Sequence, residues 1–403
     1  MRRYLFVLTG VLGLTLALIL AANLKLGDRG LGNLAVTRAA SEWQQATRGV
    51  TYAPPVGGSG PFKVLRLADR LPDINALVLG SSTLMGVTPA VLPASWRVYN
   101  LTVTGNPTGA IAAEARYVEQ HFASGVRWML AGLDWSVGNL YQPGAVGEAD
   151  LSPASVPKAY AAEKAVPLVK RLEDALSWPR VSTLAGVFSG ALKNDNKIRY
   201  LQQSLFEAGG AEYRCADGAA VTVARDFDVI NRGLCRGYRY DGSWTFANDS
   251  RLSAAQAATL AAAAAAPSSK YTKLLCAAEG HPNAAYLQHL GESAGRFAAK
   301  GGQMIFVLPA LAPGLERALM GNARWRECLA RTKATLDAWA KQHRVMIIDA
   351  GAAELYGCVS TEFSDEHHAY PECYQRVLPL FFRELEAGRV TPGLWKPDRA
   401  AAT

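Results

Sequence analysis

The sequence predicts an α/β fold in three layers, α/β/α, around a parallel sheet, and three observations carry that expectation. Short apolar runs recur at residues 76–79, 96–103, 128–133, 304–308 and 345–348, each with the length and apolarity of a buried strand. Stretches of helical periodicity lie between several of them, at 108–122, 284–299 and 322–342. Strands alternating with helices imply a parallel sheet covered on both faces. The first run closes on "GSS", Gly80 to Ser82. A glycine there marks a sharp turn, and in open α/β sheets the loops leaving the carboxyl ends of strands form the ligand crevice.

The alternation breaks between about 137 and 281, a length too great for one crossover. The expected organisation is therefore an N-terminal membrane anchor at 1–26, a spacer at 27–63 containing "TYAPPVGGSGPF", a main domain from 64–136 and 282–390, a mixed insertion at 137–281 that caps the site, and a tail at 391–403. Helical stretches at 157–176, 181–206 and 252–266 surround short strands and turns between 219 and 246. A chain of 403 residues, half of them hydrophobic and 19% charged, is globular in composition. The net charge of +8 favours anionic partners, phospholipid head groups or acidic polysaccharide. Nucleic acid is not expected, because the Lys and Arg are scattered and no recognised binding motif is present.

Tyr4 to Ala22 is apolar apart from two threonines and follows Arg2 and Arg3. Such a run is long enough to cross about 30 Å of hydrocarbon, and the arginines orient it with the remainder of the chain outside the cytoplasmic membrane. A cleaved signal peptide is the competing reading, although no good small-x-small cleavage site follows Leu20. Six cysteines, Cys215, Cys235, Cys276, Cys328, Cys358 and Cys373, suit an oxidising compartment on the outer, periplasmic side. Local pairing gives Cys215 with Cys235, Cys276 with Cys328 and Cys358 with Cys373; buried free thiols are the alternative. None forms a C-x-x-C pair, so zinc is not expected, and no cofactor is implied.

The second landmark is "FSDEHHAYPECYQRV", residues 363–377. Asp365 and His368 are three apart, and on a helical turn that spacing brings both side chains to one face, where the carboxylate can fix the imidazole tautomer. A His so held can take a proton from a serine hydroxyl. Taken singly, Ser82 reads as a cap or turn residue and D-x-x-H as a solvated helix start.

Taken together, the order of these motifs and the strands they follow resemble the SGNH or GDSL hydrolase superfamily, over residues 64–136 and 301–384. "GSS" stands where that family has G-D-S, a form similar to a membrane-anchored branch that includes cell-wall D-alanyl-transfer and exopolysaccharide acyl-transfer proteins. The resemblance implies an SGNH-like sheet, Ser82 as nucleophile, His368 as base and Asp365 as its partner, with the Ser82 and Gly105 amides receiving the oxyanion. Ser81 replaces the family's Asp. In "AGLDWS" Asp134 stands where the family has the Asn of its third block, so the remaining oxyanion donor is unassigned.

Ser81, Asn106, Asp134, Trp135 and His367 are candidate substrate-binding residues. Asn106 is also readable as a helix cap with Pro107 in the first turn, and His367, at D-x-H spacing, ranks second as base. The other histidines read as structural, and "RYDGSWTF", residues 239–246, reads as a sugar-binding loop or as ordinary packing. The expected reaction is acyl transfer through an acyl-serine to water, as an esterase, or to a sugar hydroxyl, as an O-acyltransferase, with acetyl and an exopolysaccharide or envelope glycan as group and substrate. Expected partners are that glycan, the membrane and an integral-membrane acyltransferase. The rival class is a non-catalytic envelope scaffold or glycan-binding partner of such an acyltransferase.

Overall fold

The computed structural model describes residues 2–31, 34–51, 59–135, 139–157, 168–178, 181, 185, 214–215, 237–245, 251–266, 269 and 276–397. They group into two compact units, residues 1–66 with 152–240 and residues 67–151 with 241–403.

The second unit is built on a six-stranded parallel sheet: β1 (Ala76–Leu79), β2 (Val98–Asn100), β3 (Trp128–Gly132), β4 (Gln303–Leu308), β5 (Met346–Asp349) and β6 (Gly393–Trp395), in the order β6-β5-β4-β3-β1-β2. Val78 pairs with Leu130, Leu130 with Ile305 and Ile305 with Met346. Because side chains alternate along a strand, that row faces one side of the sheet and the next row, Leu79, Ala131, Phe306 and Ile347, faces the other. Both rows are buried, as expected of strands covered on both faces.

Among the described residues six helices accompany the sheet: α1 (Thr108–His121), α2 (Ala254–Ala265), α3 (Ala284–Ala299), α4 (Leu315–Met320), α5 (Ala323–His343) and α6 (Pro371–Glu386). On one face α6 sets Tyr374, Val377, Leu378 and Phe381 into a core with Val78, Leu130, Ile305 and Met346. Opposite, α1, α3 and α5 lie against β3, β4 and β5, with Trp339 of α5 edge-on to Phe306 at 5.0 Å. The three layers follow from this placement. Trp96, stacked on Trp128 at 4.8 Å and edge-on to Phe382 at 5.0 Å, closes the β2 side of the core.

Helix α6 and strand β6 are elements the sequence reading did not assign. The helix holds two prolines. Pro371 occupies its first turn, where a missing N–H costs nothing, while Pro379 lies inside it. Burial of the apolar stripe outweighs the second. Strand β6 has three residues, too short for a periodic signal, and is held by Gly393 N–H to the Val345 carbonyl and Leu394 N–H to Asp337.

In the first unit Val50–Thr51 pairs antiparallel with Arg214–Cys215 and with Gly237–Tyr238, and helices Leu34–Thr47 and Ser59–Arg70 occupy most of the expected spacer. The expected helix at 181–206 and the expected strands at 219–236 lie outside the described residues. The anchor is corrected here. Tyr4 to Ala22 falls within one helix, Arg2–Leu31, which mixes Thr9, Gly10, Gly13 and Thr15 into its leucines and lies against helix Leu168–Ala175. No helix among the described residues is long and apolar enough to cross a membrane. The single-pass anchor and the localisation built on it are therefore not supported.

Two of the expected disulfides are formed, Cys276–Cys328 with Cα atoms 5.4 Å apart and Cys358–Cys373 at 5.1 Å. Cys235, of the third, lies outside the described residues. Because Phe381 is fully buried in the core and packs edge-on against Trp395 of β6, Phe381→Ala should lower unfolding stability by about 3–5 kcal/mol in urea titration; a loss below about 1 kcal/mol would show that α6 is not part of the core.

Candidate active site

The turn after β1 carries the serines. Gly80 leaves the strand, Ser81 caps a short 3-10 turn through its hydroxyl, which accepts from Thr83 N–H at 3.3 Å, and Ser82 is the turn's first residue. Four hydrogen bonds, donated by three side chains, hold this turn. Ser81 Oγ donates to Asp134 Oδ2 at 2.6 Å, Tyr374 of α6 donates its hydroxyl to the Thr83 carbonyl at 2.6 Å, and Asn100, at the end of β2, donates to the Leu84 and Val87 carbonyls at 3.0 and 2.9 Å. Ser81 and Asp134 are buried, while Ser82 keeps partial access to solvent.

Asp365 and His368 lie in a loop and not on a helix. A single antiparallel bridge between Phe363 and Ala369 closes it, with Ser364 N–H donating to the His368 carbonyl. Inside, Asp365 Oδ1 accepts from the backbone N–H groups of His367 and His368 at 2.9 and 3.0 Å. Its other oxygen, Oδ2, lies 2.6 Å from His368 Nδ1, and His368 Nε2 lies 2.8 Å from Ser82 Oγ. The chain of contacts carboxylate, imidazole, hydroxyl is complete. Burial opposes ionisation of Asp365, but the hydrogen bond and charge of His368, with the His367 contacts, hold its carboxyl well below the usual range. It is therefore an anion that keeps the Nδ1 proton in place and leaves Nε2 free to accept from Ser82.

Two further constraints locate this loop. The Cys358–Cys373 bridge ties its entry to the first turn of α6, closing a span of 15 residues, worth roughly 3 kcal/mol in chain-entropy reasoning. Gly86, just past the serine turn, sits so close to the Ala369 carbonyl that a Cβ there would collide with it.

The other expected residues divide. Gly105 occupies an exposed turn at φ +70°, a conformation glycine adopts without strain. The N–H groups of Ser82 and Gly105 have no acceptor among the described residues. Asn106 does not cap α1; Pro107 stands at that position without a side-chain bond. Asn106 instead donates its amide to both oxygens of Glu114, at 3.0 and 3.1 Å. Trp135 is buried, bonded to the Pro309 carbonyl and packed on Trp325, so it joins the core and not the site. His367 packs its ring 4.2 Å from that of His368. Burial, and after it the neighbouring His368, pull its pKa down against the raising effect of Asp365, Glu366 and Asp134. Within the segment 239–246, Trp244 N–H donates to the Met85 carbonyl and the Asp241 carbonyl accepts from Asn100 N–H.

Asn100, Tyr374, Gly86 and Glu114 escaped the sequence reading. An Asn ending an apolar strand in "VYNL" is the one signal that pointed to a buried polar anchor. Asp365, His367 and His368 each offer a donor atom within 4.8 Å of the others. A second cluster of that kind among the described residues, Cys358, Glu362 and Cys373, has its thiols spent in the disulfide. No protein-family model matches the chain, and no curated protein or solved structure matches it either.

Burial pushes Glu114 from its ordinary 4.5 up to about 8, against the lowering effect of the Asn106 amide. A carboxyl raised on folding holds a proton that the unfolded chain has released, so between about pH 4.5 and 8 this group costs stability as pH rises, and the cost levels off above 8. Glu114→Gln cannot ionise. Its melting temperature relative to wild type should rise from pH 5 to pH 8.5; a difference independent of pH would show that Glu114 is not held neutral in the fold.

Proposed function

We propose that this chain is a serine-dependent acyl-ester enzyme, an esterase or O-acyltransferase working through an acyl-Ser82 intermediate. One observation carries the reading: Ser82 Oγ, the His368 ring and the Asp365 carboxylate are linked at 2.8 and 2.6 Å, the arrangement of a nucleophile, a base and the group that orients the base.

His368 Nε2 takes the Ser82 proton as the oxygen attacks the acyl carbonyl, and Asp365 stabilises the imidazolium that forms. The oxyanion is received by the N–H groups of Ser82 and Gly105, at the turn before α1. Collapse expels the alcohol, which takes the proton from His368. Water or a sugar hydroxyl then gives its proton to the same nitrogen, attacks the acyl-serine and restores Ser82. The resemblance of "GSS" and D-x-x-H to SGNH or GDSL hydrolases favours an acetyl ester on a glycan hydroxyl. Asp134, engaged with Ser81, positions the serine turn and does not meet the oxyanion, where its charge would be repelled.

Turnover of p-nitrophenyl acetate tests this. Ser82→Ala and His368→Ala should each lose at least about 1,000-fold in kcat, and the double variant should be no worse than either, since members of one mechanism are strongly non-additive. Retained turnover in Ser82→Ala, or additive losses, would overturn the assignment.

A further inference from the structure

The His367 ring is the feature of the site that acyl transfer does not use. Its Nδ1 is buried with no hydrogen-bond partner among the described residues and lies 3.8 Å from Asp365 Oδ1. A buried polar atom without a partner calls for an explanation, and a bound ion is one. Beside it, His368 Nδ1 lies 2.6 Å from Asp365 Oδ2, and the three side chains bring one donor atom each within 4.8 Å of one another. Two imidazoles and a carboxylate form a donor set that suits zinc-class ions. A tetrahedral ion at about 2.0–2.1 Å from each donor holds them roughly 3.3 Å apart. The 3.8 Å edge is near that spacing.

We infer that Asp365, His367 and His368 form an inhibitory site for a divalent zinc-class ion, a reading that rests on the triad proposed above. Inhibition follows from the tautomer. In the acylating arrangement the His368 proton sits on Nδ1, facing Asp365, and Nε2 accepts from Ser82. An ion that takes the Nδ1 lone pair moves that proton to Nε2. No proton is gained or lost by the ring, yet the nitrogen facing Ser82 becomes a donor and can no longer act as base. The ion also takes a share of the Asp365 charge that would stabilise the imidazolium. His367 gives the ion its third protein ligand.

The metal alone is the probe. Zinc affinity is measured on the full-length Ser82→Ala variant by competition with a chromophoric chelator, a readout independent of catalysis. One ion should bind per chain, and His367→Ala and His367→Gln, in that background and with unchanged circular dichroism, should each weaken it at least tenfold. With the wild-type serine, saturating Zn2+ should lower p-nitrophenyl acetate turnover at least tenfold, reversibly on adding EDTA. Affinity unchanged in both His367 variants, turnover unaffected by saturating zinc, or turnover raised by it would each overturn the inference. If zinc binds Ser82→Ala as expected but the wild type shows no serine-dependent turnover in metal-free buffer, the acyl-serine reading fails and inhibition through the tautomer fails with it, while the ion site itself stands.

Discussion

The hydrogen bond between Ser82 and His368 joins side chains 286 residues apart, and most of the second unit can be read as the means of holding its two ends together. One end is set by the sheet. β1 is paired on both sides, to β2 and β3, so the turn carrying Ser82 has a fixed position at the carboxyl edge. Asn100 and Asp134, from those two neighbours, reach into the turn and bond its backbone and the Ser81 hydroxyl. The other end belongs to α6. Its Tyr374 hydroxyl grips the Thr83 carbonyl, its first turn carries Cys373, and the loop before it passes against Gly86. A contact that must stay near 3 Å for proton transfer is thus held by covalent, polar and steric constraints acting on both partners.

The electrostatic arrangement divides the acids by partner. Asp365 accepts from two backbone N–H groups and faces the imidazole, which keeps it anionic. Glu114 is buried with an amide as its partner and is driven toward the neutral form. Asp134 accepts from Ser81. That bond ties the segment that follows β1 to the segment that follows β3.

The sequence made legible those elements whose signal is local. The apolar runs at β1, β3, β4 and β5 and the periodic stretches of α1, α3 and α5 are of that kind, and so are Ser82, Asp365 and His368, which lie in short distinctive strings. What remained hidden depends on tertiary contacts. Helix α6 is masked by Pro371 and Pro379 and stabilised by the core it covers. Asp365 and His368 meet because a bridge at Phe363 and Ala369 folds the loop back on itself, where the i, i+3 argument had placed them on a helical turn. Asn106 looked like a cap, and its amide goes to a glutamate eight residues on that no local rule singles out. At the N-terminus, apolarity and flanking arginines suggested a span that the folded helix does not support.

The most direct measurement of the central claim is the mass of the intact protein after treatment with a fluorophosphonate, followed by peptide mapping, because only a serine activated by a base reacts at an appreciable rate. The account predicts one adduct per chain, on the peptide containing Ser82 and absent from His368→Ala. An unmodified protein, or an adduct on any other residue, would contradict it.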